Sequence, residues 1–329
     1  MAGVVKTSEE IISEALRMSG ELSDTGETAS EYRARALEYL NRIYMAIVSG
    51  SNEFDLELAE PFSWSRAENP GIITLEVLQE GSATVTAGST SGSFSVAPTI
   101  SLEGRYVRFA GQSDIFRISS HIANQTAFTI DSEFTGSSGS FSYTAWKLDY
   151  ETVSGVLRLV APMRVNKGYG AHFLNNLDNP GQIFGIDMAA LRKEFPMSAM
   201  LLAVPNRFAI KHYDSQTKIF TVQFNSSTPE KTRVEYDYVP VPEQLYDIDT
   251  SFPIVPEQHR IVLSYGVAHL ICMDKNDDRA DHYLAKLQAG FKSLSKAEQE
   301  QRIDVNPYKG QIVPRRSQVN KFRWWWRSY

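Results

Sequence analysis

The sequence has a single cysteine, Cys272, so no intramolecular disulfide can form, and a reducing compartment fits. It has no run of about 18 apolar residues, so nothing in it reads as a membrane span. The opening residues Met1 to Lys6 lack the apolar centre of a secretory signal, and the expected location during synthesis is the cytosol. It also lacks G-x-x-x-x-G-K-[ST], G-x-G-x-x-G, G-x-S-x-G, H-E-x-x-H and paired C-x-x-C. Gly168-Tyr169-Gly170 lacks a third glycine and a strand–helix setting, and reads as a loop. Six histidines are scattered along the chain. His269 with Cys272, and Asp278 with His282, could each put two ligands on one helix face, but no third ligand is visible. Asp247, Asp249, Asp277 and Asp278 do not follow the alternate spacing of a Ca²⁺ loop. The expectation is a protein without catalytic residues, bound cofactor or metal.

What is present is core-forming material: 42% hydrophobic and 11% aromatic residues in 329, enough for two or three domains. The net charge of −6 is uneven. Residues 301–329 hold seven bases and one acid, which leaves the rest of the chain at −12. An acidic body with a basic tail suggests a tail that reaches another surface.

Thr7-Ser8-Glu9-Glu10 is a capping box that opens a helix with Ile11, Ile12, Ala15 and Leu16 on one stripe. Gly20 stands where a C-terminal cap belongs. Thr28 to Glu31 is a second box, followed by Tyr32, Ala36, Leu40, Ile43 and Ile47 at helical steps. Together they predict an antiparallel hairpin over 1–60. From about Pro61 to Asp149, short β-prone stretches recur every 8–12 residues, and 76–147 reads as a small barrel or sandwich. Residues 150–255 are mixed and β-rich. Helices return at 256–302, and are expected to pack on the N-terminal hairpin. The predicted fold class is α+β: a helical bundle from the N- and C-terminal helices, with an inserted β-barrel or β-sandwich-rich middle.

Residues 303–329 show no periodicity and end in Phe322-Arg323-Trp324-Trp325-Trp326-Arg327-Ser328-Tyr329. Aromatics with arginine dominate interface hot spots, so this reads as a docking segment. Its expected contact residues are Arg315, Arg316, Lys321, Phe322, Arg323, Trp324, Trp325, Trp326, Arg327 and Tyr329.

The order of parts resembles the head-to-tail adaptor (connector) proteins of tailed bacteriophages. The residues that carry the resemblance are Ala15 to Gly20, then Tyr32 to Tyr44 with Ala36-Leu37-Glu38-Tyr39-Leu40-Asn41, then Asn52-Glu53-Phe54. The closing helical stretches 256–273 and 280–302 match in style. Gly104 to Phe109, Phe116 to Ile118 and Ala127 to Asp131 look like a β-barrel insertion found in some of these adaptors. The resemblance implies a virion structural protein at the head–tail junction, assembled in the host cytoplasm. It implies a homo-oligomeric ring of twelve copies, joined to the portal protein above and to tail or nozzle proteins below. Double-stranded DNA would pass through the channel without sequence-specific binding, and the basic aromatic tail would dock on the portal. Competing readings are another virion piece (tail tube, nozzle or stopper), an enzyme with a β-rich binding module, and a carbohydrate-binding module.

Overall fold

The computed structural model describes residues 7–22, 30–50, 52–56, 61–166, 182–195, 203–228 and 231–304. The chain divides into two units. One holds both chain ends, Met1–Glu68 and Val239–Tyr329, and the other is Asn69–Tyr238.

The first unit is helical. Helix α1 (Ser8–Ser19) starts at the capping box: the Thr7 hydroxyl accepts from the Glu10 N–H at 3.2 Å, and the Glu10 carboxylate accepts from the Thr7 N–H at 3.2 Å. It ends at Gly20, whose φ of 79° is left-handed. Helix α2 (Ser30–Ser49) buries Ala36, Leu40, Ile43 and Ile47. After the second unit and a non-regular strap come α4 (Ile261–Asp274) and α5 (Ala280–Asp304). Helix α4 is apolar all round, and α1, α2 and α5 pack against it. Gly266 permits the approach of α2, because a Cβ there would sit 2.6 Å from Ile43 Cγ2. Helix α5 offers Tyr283, Leu287, Phe291 and Leu294, spaced at three and four, to the core.

The second unit is β with one short helix, α3 (Met188–Glu194). Strand β1 (Gly71–Leu75) leads into β2 (Gln79–Val85), β3 (Ser91–Phe94), β4 (Tyr106–Phe109), β5 (Ile115–His121), β6 (Ala127–Ile130) and β7 (Gly139–Trp146). Strands β2 to β7 close into a six-stranded barrel of order β2-β3-β6-β5-β4-β7. Phe94, Phe109, Phe116, Phe128 and Phe134 fill its core. Closure leaves the barrel no free edge. The chain then returns through β8 (Asp149–Glu151), β9 (Val156–Asn166), β10 (Gln182–Gly185), β11 (Arg207–Asp214), β12 (Ile219–Phe224) and β13 (Thr232–Pro240). These join β1 in a seven-stranded sheet of order β1-β13-β9-β10-β11-β12-β8. The sheet curls until its ends meet: the Glu76 N–H, just past β1, donates to the Tyr150 hydroxyl of β8 at 2.9 Å.

This overturns the expected fold class of an α+β protein built on a helical bundle from the N- and C-terminal helices. Among the described residues there are thirteen strands and five α-helices, and two sheets dominate the fold. The physical reason is long-range pairing. Strands β1 and β13 lie at opposite ends of the β unit's sequence, yet pair from Gly71↔Tyr236 to Leu75↔Thr232. Local periodicity carries no sign of such a partner. The stretch 150–255 therefore reads as a loose mixture in sequence, although most of its strands belong to one sheet. No helix among the described residues is long and apolar enough to cross a membrane.

Candidate functional site

The strap Leu245–Val255 joins β13 to α4 and belongs to the helical unit. It is neither helix nor strand, yet it is held along its length. Asn41 brackets Leu245, accepting from its N–H at 2.8 Å and donating to its carbonyl at 3.0 Å. Arg33 grips Asp247 with two hydrogen bonds, at 2.8 and 2.6 Å, and this contact raises the guanidinium pKa. The Ser251 carbonyl accepts from the Ser8 N–H at 2.9 Å. The Tyr44 hydroxyl accepts from the Ile254 N–H at 3.2 Å, and Arg260 donates to the carbonyls of Pro253 and Val255 at 3.1 and 2.9 Å.

Leu245, Pro253 and Val255 point inward. Tyr246, Ile248, Phe252 and Ile254 do the opposite and are 57%, 48%, 56% and 44% exposed. Large apolar side chains shown together on a fixed backbone mark an interaction surface. Because the anchors already order the backbone, little conformational entropy remains to be lost on binding.

The β unit has a contrasting feature, charges held inside where the barrel meets the sheet. Arg105, at the start of β4, is 1% exposed. It donates to the Val77 carbonyl at 2.9 Å and pairs with Glu76, which also accepts from Lys147 Nζ at 3.1 Å. Asp149 of β8 pairs with Lys211 of β11, and accepts from the Tyr106 hydroxyl of β4 at 3.4 Å. Burial pushes the Tyr150 hydroxyl up to about 12, against the hydrogen bond it accepts from the Glu76 N–H. A cavity of about 110 Å³ adjoins this network and is lined by Tyr106, Leu191, Arg192, Phe195, Lys211, Gln223, Phe224 and Asn225. Lys211 is matched to a carboxylate at the cavity wall, so the arrangement ties barrel to sheet rather than presenting a free cation.

No protein-family model and no curated protein matches the chain.

The docking residues expected from the sequence, Arg315, Arg316, Lys321, Phe322, Arg323, Trp324, Trp325, Trp326, Arg327 and Tyr329, all lie outside the described residues, as does Gly168 to Gly170. Of the two candidate ligand pairs, His269 and Cys272 are buried in the core, and Asp278 and His282 are exposed. His269 Nδ1 bonds the Ala280 carbonyl at 2.9 Å, and burial pushes the Cys272 thiol up. Among the described residues no three His, Cys, Asp or Glu side chains gather to hold a metal. Sequence reasoning missed the strap. Its available signal was a proline-punctuated run, Pro242, Pro253 and Pro256, with apolar residues at no helical or strand period.

Proposed function

We propose that the protein is a structural subunit of a tailed-bacteriophage head-to-tail adaptor, a homo-oligomeric ring that joins the portal to the tail and continues the DNA channel. It is an assembly protein, not an enzyme. The observation that best supports this reading is the strap: a pre-ordered surface showing four large apolar side chains belongs to a protein that is covered by another. The resemblance of the α1 and α2 sequences to adaptor helices supports this choice of assembly. The acidic charge of residues 1–300 suits a channel wall from which DNA is weakly repelled.

The mostly β fold favours a second reading, a tail nozzle or stopper subunit, since such pieces tend to be β-rich. Mixing the purified protein with the portal ring of the same phage separates the two. Electron microscopy should show a ring stacked coaxially on the portal. A protein that stays monomeric at high concentration and never joins the portal sinks the adaptor reading. Joining the tail but not the portal selects the nozzle or stopper.

A further inference from the structure

We propose that the strap Leu245–Val255 is the seat for the basic, tryptophan-rich segment Arg315–Tyr329 of a second copy of this chain. This deepens the assembly reading and rests on it, by naming what covers the exposed surface.

Three observations carry the inference. The first is chemical fit. The strap offers Tyr246, Ile248, Phe252 and Ile254, and the segment offers Phe322, Trp324, Trp325, Trp326 and Tyr329. Aromatic side chains buried in apolar surroundings supply most of the energy of such contacts.

The second is charge. From 234 to 258 the sequence has no Lys or Arg, and Glu243 and Asp249 are exposed beside the apolar side chains; Arg33 and Arg260, which touch the strap from outside that stretch, are bonded to Asp247 and to the Pro253 and Val255 carbonyls. From 305 to 329 there are six bases and no acid. Opposite charge around an apolar centre fixes register and speeds encounter.

The third is the route of the chain. In α5, Gly290 lies against Val262, in the first turn of α4 and shortly after the strap. Helix α5 then runs on to Asp304. At 1.5 Å per residue, those fourteen residues carry the chain about 21 Å beyond the level of Val262. The ten residues 305–314 that follow add a reach of up to about 33 Å, enough for the segment to meet a neighbouring copy. A contact in which each copy gives a segment and receives one closes as a two-fold dimer when two copies exchange segments, and repeats into a ring or a filament when the copy that receives is not the copy that gives.

The test uses two full-length variants and analytical ultracentrifugation. In the first, Ile248→Lys and Phe252→Lys spoil the strap but leave the segment. In the second, Trp324→Ser, Trp325→Ser and Trp326→Ser spoil the segment but leave the strap. The wild type should self-associate at micromolar concentration, more tightly in 50 mM than in 500 mM salt. Each variant alone should associate at least tenfold more weakly, with a circular dichroism melt like that of the wild type. An equimolar mixture of the two should form pairs and stop there, because the one intact seat and the one intact segment of each pair are engaged with each other.

The proposal is overturned if the wild type is monomeric, if the mixture stays monomeric, or if either variant alone associates as the wild type does. A segment variant that self-associates normally but no longer binds the portal assigns the segment to the portal instead, which also overturns it. The adaptor reading is judged separately, by portal binding of the wild type. Paired variants without portal binding would leave this inference standing and remove that reading.

Discussion

In the β unit Arg105 is 1% exposed and Asp149 9%, whereas in the helical unit Tyr246 is 57% and Phe252 56% exposed. At one place in the β unit charge is held inside, and at the strap of the helical unit apolar side chains are gathered outside. Both arrangements break the ordinary segregation of polar from apolar, and their different anchoring shows what each achieves. The buried charges are paired within the unit, Arg105 with Glu76 and the Val77 carbonyl, Asp149 with Lys211 and Tyr106, although Arg105 Nε and Asp149 Oδ1 have no hydrogen-bond partner. They fix how the barrel is held on the sheet. Of the exposed apolar side chains of the strap, Phe252 has the Arg260 guanidinium 5.9 Å from its ring centroid, and all four still leave about half of their surface in water. They are arranged for something outside.

This contrast can be broken by substitution, and the largest effect is expected in the β unit. Arg105→Ala removes a fully buried side chain and leaves the Val77 carbonyl without its donor, while Glu76 is 37% exposed and keeps Lys147, which should destabilise by about 2–3 kcal/mol in urea denaturation. A loss below 1 kcal/mol would mean the buried charge is not what holds barrel to sheet. Next comes Gly71→Ala. Its Cβ would lie 2.2 Å from the Tyr236 ring, which is 1% exposed and whose hydroxyl accepts from the Val153 N–H at 2.8 Å. Displacing that ring should cost about 2 kcal/mol, with faster amide exchange in β1 and β13.

In the helical unit Thr7→Ala deletes the capping hydroxyl and should cost about 1 kcal/mol. The sharpest contrast is Ile248→Ser. Although it removes a large apolar side chain, it should shift stability by no more than about 0.5 kcal/mol, because that side chain is already 48% in water. If Ile248→Ser destabilises as a core substitution does, the strap is structural and the comparison fails.

The same two units differ in how far the sequence reveals them. Thr7, Glu10 and Gly20 announce both ends of α1, because capping is a local event and those residues are its chemistry. The barrel strands Tyr106–Phe109 and Ile115–His121 show through their β-branched and aromatic content. What stays hidden depends on distant partners. Neither the pairing of β1 with β13 nor the meeting of Arg105 with Glu76 leaves a trace in local period or spacing. This is why the β content outweighs what a helical-bundle reading allows. The strap is hidden for a related reason. Tyr246 and Leu245 are similar in sequence terms, and only the folded contacts of Asn41, Tyr44 and Arg33 turn one outward and the other inward. The basic aromatic segment is the reverse case, plain in composition and lying outside the described residues.

The smallest expected effect concerns acid. Asp277, in the turn between α4 and α5, is held at about 2, first by the Arg279 side chain and then by the Arg279 N–H. Arg279 also donates to the Met18 and Ser19 carbonyls, so this pair ties the end of α1 to that turn. In the β unit, Asp214 is also lowered, chiefly by the Thr217 hydroxyl. A carboxyl held below its ordinary value favours the folded state when ionised. Its contribution is fully present above about pH 4 and is lost as the pH falls toward about 2. Both units should therefore weaken in one window for different reasons, a guanidinium in one and a hydroxyl in the other. Salt separates the two causes, because it screens the ion pair more than the neutral hydrogen bond. Amide exchange between pH 4 and 2.5 should show the α4–α5 turn loosening more at 500 mM than at 50 mM salt, with little salt effect at Asp214. In Asp277→Asn the turn should lose that salt dependence. If it persists, another pair holds the turn, and Asp277 is not the group through which acid reaches the helical unit.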